Sequence, residues 1–108
     1  AEHIRLAQLF AGWVDGSDTF ERLAPVPFSV VCFRACPAES ASDQPALDEL
    51  NARLLDGVNA TGDVFLSHTR LEGRFALRLA VGHIRTTERH VARAWELLQE
   101  QLALILHS

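Results

Sequence analysis

The stretch FLSHTRLEGRFALRLAVG, residues 65–82, limits the possible folds more than any other part of the chain. Two runs of strand-like residues, Val64 to Thr69 and Phe75 to Val81, flank a tight turn at Glu72-Gly73. A glycine there supplies the positive φ that a hairpin turn demands. In the second run Phe75, Leu77, Leu79 and Val81 share one face, and Ala76, Arg78 and Ala80 share the other. The first face is bulky and apolar and should meet helices. The second is shallow, with a charge at its centre.

The rest of the chain reads as helices and strands around that hairpin. Residues 1–15 have helical periodicity. Ile4, Ala7, Ala11 and Val14 form one stripe, and Leu6, Leu9, Phe10 and Trp13 an adjacent one. A surface helix needs only one, so the second stripe predicts a further contact. Asp15-Gly16-Ser17-Asp18 ends the helix, with Gly16 suited to a left-handed cap. Phe20 to Ala24 is a short strand candidate, and Pro25 and Pro27 mark a bend or an edge. Phe28 to Ala35 is a strong strand with apolar residues on both sides, so both faces should be covered. CPAESASDQ is loop-like and expected to be mobile.

Asp43 or Gln44 then caps a helix with Pro45 in its first turn. Its stripe is Leu47, Leu50, Leu54 and Val58, and residues 59–62 end it. Gly82 closes the hairpin's second strand. Thr86 or Thr87 caps a last helix, whose core stripe is Val91, Ala94, Trp95, Leu98, Leu102 and Ile105. The predicted order is α-β-β-α-β-β-α. It implies an α+β two-layer sandwich with a four-stranded antiparallel sheet and its helices on one face. Residues 1–108 form a single domain.

Composition narrows the function. The chain has 108 residues, a formal charge of -4 and 48% hydrophobic residues. An acidic chain without a basic run is a poor match for nucleic acid or an anionic membrane. No stretch is long and apolar enough to span a membrane, and none reads as a signal peptide. All ten basic residues are arginine. Codon bias in a GC-rich bacterium accounts for that, and the chain by itself cannot form a lysine Schiff base. Cys32 and Cys36 read as free thiols in a reducing cytoplasm. No Cys or His pairs have zinc-site spacing, so no metal is expected. The opening AEHIRLAQLFAGWV has neither an initiator Met nor a capping residue. It reads as a helix entered partway along, from a processed terminus or from a piece of a longer protein.

Arg78 is the leading candidate for a functional side chain. If its face meets solvent, it is an ordinary strand residue. If another body covers that face, the guanidinium needs an anion, and a carboxylate matches its two parallel N–H groups. That carboxylate could be a structural Asp or Glu, or it could belong to a substrate. His68 is the second candidate, set against its reading as a hydrogen-bonded structural histidine. His90 and His107 read as solvated or capping, His83 lies in a turn, and His3 is near the start. The carboxylates Glu21, Asp48, Glu49, Asp56, Glu88, Glu96 and Glu100 read as solvated. Gly-x-Ser-x-Gly, P-loop and dinucleotide motifs are absent.

Three segments, PVPFSVVCFRA, FLSHTRLEGRFALRLAVG and TTERHVARAWELL, occur in that order. Together they resemble the C-terminal small domain of the pyridoxal-phosphate-dependent group II amino-acid decarboxylases, the aromatic branch in particular. The likeness runs from about Ile4 to Leu98. It implies a carbon–carbon lyase that uses pyridoxal 5'-phosphate to release CO2 from an L-amino acid, and a cytoplasmic homodimer. It also implies a small domain whose sheet carries its helices on the side away from a large domain. The Schiff-base lysine and the residues around the cofactor would belong to that large domain. No catalytic or cofactor-binding residue is then expected in this chain, and the fragment alone should be inactive. Arg78 matches the family's arginine in a Phe-x-x-Arg strand motif, which implies substrate-carboxylate binding or an interface role. His68 matches a histidine of aromatic-branch relatives. The alternative is a stand-alone small-molecule-binding or dimerisation module without catalysis.

Overall fold

The computed structural model describes residues 2–24, 29–81 and 87–107. Expectations for Pro25, Pro27, Phe28, Gly82, His83 and Thr86 fall outside them. Seven elements follow the predicted order: α1 (Glu2–Asp15), β1 (Phe20–Arg22), β2 (Val30–Ala35), α2 (Gln44–Ala60), β3 (Ser67–Leu71), β4 (Arg74–Ala80) and α3 (Glu88–Leu106). The strands form one antiparallel sheet in the order β1-β2-β4-β3.

Alternation decides which side of the sheet is buried. Val31 and Phe33 pair with Leu79 and Leu77 and face the helices with Val81. Phe10 meets Phe33 edge-on at 5.1 Å, and Trp95 lies 5.8 Å from Phe10 and 5.2 Å from Phe20. These rings tie α1, β1, β2 and α3 together, and both Phe10 pairs have the edge-to-face geometry that aromatic quadrupoles favour. The buried seam of α1 is Leu6, Ala7, Phe10, Ala11 and Val14. It draws on both stripes expected from the sequence. The helix therefore has one broad buried face rather than a spare second one. Leu9 and Trp13 are half-buried at its margin, and Ile4 is exposed. On α3 the buried face includes Leu97, which the predicted stripe lacked, while Trp95 and Ile105 pack at its rim.

Polar side chains of α2 set where the strands start and stop. Asn51 is fully buried. Its Oδ1 accepts the Ala35 N–H at 2.8 Å, and its Nδ2 donates to the Ala35 carbonyl at 3.0 Å. One turn earlier, Asp48 accepts the Phe75 N–H at 3.0 Å. The register Phe33↔Leu77 would put Ala35 opposite Phe75 in the next rung. The two side chains occupy that rung, so β2 and β4 part there without losing hydrogen bonds. Asn59 does the same for Leu66, accepting its N–H at 2.7 Å and donating to its carbonyl at 2.9 Å. That is why β3 begins at Ser67 rather than at Val64.

The remaining departures are local. Gly16 does not take the left-handed conformation: α1 closes through Gly16 N–H to the Gly12 carbonyl and Ser17 N–H to the Val14 carbonyl, each 3.1 Å. Gly62, after α2, takes it instead, with φ 77°. The hairpin turn has φ 54° at Glu72 and 79° at Gly73, the paired positive values of a type I′ turn. The segment expected to be a loop contains a short 3-10 helix, Ala38–Ser40. Asp43 caps α2 by accepting the Ala46 N–H at 3.0 Å. Thr87 caps α3, and its N–H donates to His90 Nδ1 at 3.1 Å.

Candidate functional site

Arg78 lies at the middle of β4 on the side of the sheet away from the helices. In register it stands between Cys32 of β2 and Ser67 of β3. Its side chain is half-buried. Among the described residues it has no ion-pair or side-chain hydrogen-bond partner. Its neighbours on that side are small: Ala76 is fully buried and Ala80 is exposed. By the same alternation Arg34 and Arg74 share this side, Arg34 paired with Glu21 and Arg74 with Glu72 at 3.8 Å, so Arg78 is its unpaired cation among the described residues. A guanidinium so placed is open to an incoming carboxylate.

His68 is on the other side of the sheet. The register Ser67↔Arg78 and His68↔Leu77 puts the two candidates on opposite faces, so the structure does not bring them together. The His68 ring is exposed and stacks on Phe75 with centroids 4.9 Å apart and planes 10° from parallel. Arg70 lies over the same phenyl ring at 5.9 Å, donates to the Gly73 carbonyl at 3.1 Å and approaches Asp48 at 3.4 Å. This ledge rims the β3 edge.

The buried arginine of the sheet is Arg34, only 3% exposed. Its Nε donates to Glu21 Oε1 at 2.8 Å and its Nη1 to Gln44 Oε1 at 2.8 Å. Strand register makes the first bond, because Glu21 stands directly opposite Arg34. Cys36 adjoins the pair. Burial pushes its thiol above the ordinary value, the Glu21 carboxylate pushes it further, and Arg34 pulls it back. Glu21 and Asp48 are therefore not merely solvated: one answers a buried guanidinium and the other a strand-end N–H. Sequence reasoning placed the arginine in need of a partner in β4 and passed over the one in β2. The signal was present in the facing patterns Phe20-Glu21 and Phe33-Arg34, but it becomes legible only once the register is known. Both cysteines are free. Among the described residues, no group of three His, Cys, Asp or Glu side chains is gathered as metal ligands, and no helix is long and apolar enough to cross a membrane.

A two-layer α+β domain with a helix-covered face and an open face bearing an unanswered arginine is thus the class of protein defined. The chain is homologous to part of the plant aromatic-L-amino-acid decarboxylases. It is 44% identical over 103 residues to a tryptophan decarboxylase of Camptotheca acuminata, covering 95% of this chain and 20% of that protein. It is 42% identical over 102 residues to the aromatic-L-amino-acid decarboxylase of Catharanthus roseus, covering 91% and 20%. The Oryza sativa TDC, solved with PLP and tryptamine, contains the same fold with a TM-score of 0.91 and 36% identity, over 96% of this chain and 22% of that one. No protein-family model matches. The chain spans about a fifth of the length of the curated relatives it matches. Both are plant proteins, so the expectation of a bacterial source finds no support in them. PLP, present in the Oryza structure, forms a Schiff base only with an amine, and this chain contains no lysine side chain to offer one.

Proposed function

We propose that this chain is the C-terminal small domain of a pyridoxal-phosphate-dependent decarboxylase of aromatic L-amino acids, a cytoplasmic homodimer that releases CO2. One observation carries the proposal: identity of 44% across 95% of the chain to a tryptophan decarboxylase. The stand-alone binding or dimerisation module draws no support from the relatives, in which this sequence is one fifth of a longer enzyme.

In this reading the cofactor and its lysine belong to the remainder of the enzyme, and residues 1–108 alone are inactive. The open face of the sheet turns toward the large domain. Arg78 there meets a carboxylate, either of the substrate or of the facing protein surface. His68, on the helix side, contributes its stack on Phe75 rather than a contact shared with Arg78.

The test is to assay the full-length enzyme, with PLP added, for CO2 and amine release from tryptophan and tyrosine. Arg78→Ala should lower kcat/KM by about tenfold or more, the loss expected for a charge-assisted hydrogen bond. Unchanged turnover and substrate affinity in that variant would remove Arg78 from the site. Failure of the wild-type enzyme to decarboxylate either amino acid would remove the aromatic assignment.

A further inference from the structure

Phe65 lies in the connection between α2 and β3 with 81% of its surface exposed. The residues on either side do the opposite: Leu66 is buried, and Val64 packs against the core. Both face the helices, so the side chain between them is turned to the other side of the sheet, the side of Ser67 and Arg78. The position is also held. Two hydrogen bonds of Asn59 to the backbone of the next residue, Leu66, tie the connection to α2. Among the described residues the other large exposed apolar side chains, Ile4, Leu104 and Leu106, sit toward the ends of α1 and α3.

Arg78 is an independent observation on the same face. It has no partner among the described residues and stands among Cys32, Ser67, Ala76 and Ala80. An unanswered cation and an exposed aromatic side chain on one face call for a surface with a carboxylate and an apolar pocket. A second copy of this face supplies neither well. An isologous contact centred on Arg78 sets two guanidinium groups against each other. The relatives hold this fold within a chain about five times as long, so the same polypeptide has ample surface to provide both.

We propose that Phe65 is the aromatic anchor by which this domain docks, through the Arg78 face of its sheet, onto the remainder of its own polypeptide. The inference rests on the reading of the chain as one domain of a longer decarboxylase. It is tested in the full-length enzyme by replacing Phe65 with the photo-cross-linker p-benzoylphenylalanine, irradiating, digesting and identifying the joined peptides by mass spectrometry. The expected result is a dominant cross-link from position 65 to a peptide of the same subunit outside these 108 residues. A cross-link between subunits, or none, overturns the proposal. In parallel, Phe65→Asp should lower the full-length enzyme's thermal midpoint by several degrees, whereas Leu104→Asp, at an exposed helix position, should leave it within about one degree. Equal midpoints for Phe65→Asp and wild type also overturn it. A native polypeptide no longer than this chain would defeat both the anchor and the reading beneath it. A long polypeptide without the cross-link would defeat the anchor alone.

Discussion

Asn51 stands in for a strand at Ala35. It accepts that residue's N–H at 2.8 Å and donates to its carbonyl at 3.0 Å, from a position with no solvent exposure. Its Nδ2 also reaches the Leu47 carbonyl at 2.9 Å. One side chain thereby satisfies two backbone groups that would otherwise be buried without partners where β2 and β4 separate. Asn51→Leu keeps the volume and removes all three bonds, at a cost of about 3 kcal/mol. Urea unfolding should show a lower midpoint at unchanged slope. Asn51→Asp retains only the acceptor and should also destabilise.

The hairpin turn carries a correctable flaw. Glu72 holds φ 54°, a conformation that costs most residues energy and that asparagine tolerates better. Glu72→Asn should raise stability by roughly 0.5–1 kcal/mol, read as a higher thermal midpoint. Gly73→Ala, at φ 79°, should lower it by at least as much.

Glu21 and Arg34 are unequal partners, because Arg34 is buried whereas the Glu21 side chain is 39% exposed. Glu21→Ala leaves a buried guanidinium with Gln44 alone, at a cost of about 2 kcal/mol after allowance for solvent screening. Arg34→Met fills the same space without a charge and should cost less. A double-mutant cycle measures the coupling.

The same pair governs Cys36, whose thiol is raised from 9.0 by burial first and by Glu21 second. The thiol is neutral when protonated, so a raised value favours the folded state. That contribution is complete below the unfolded thiol's pKa and is lost as pH rises through the folded one. Iodoacetamide should therefore alkylate Cys36 more slowly than a model thiol at about pH 8.5. Glu21→Gln should speed the reaction.

The opposite placement of His68 and Arg78 separates their phenotypes. His68→Ala removes an exposed aromatic stack worth roughly 0.5–1 kcal/mol and should leave decarboxylation by the full-length enzyme intact. Arg78→Ala, by contrast, should lower kcat/KM markedly. Parallel losses in both variants would place the two residues in one functional unit, contrary to the register.

Much of the architecture follows from local chemistry alone. The order of elements, the hairpin at Gly73, the caps to within one residue and the two faces of β4 all rest on periodicity and turn stereochemistry, which act over a few residues. The likeness to decarboxylases was legible for the same reason, since it is carried by contiguous segments. Tertiary structure decided what depends on residues far apart in the chain. Asn59 fixes the start of β3 seven residues away, Asn51 fixes the end of β2 sixteen residues away, and Glu21 answers Arg34 across thirteen. No local pattern distinguishes Arg34 from Arg78. Each sits among apolar strand residues, and only strand register places a carboxylate opposite one of them and small neutral residues beside the other.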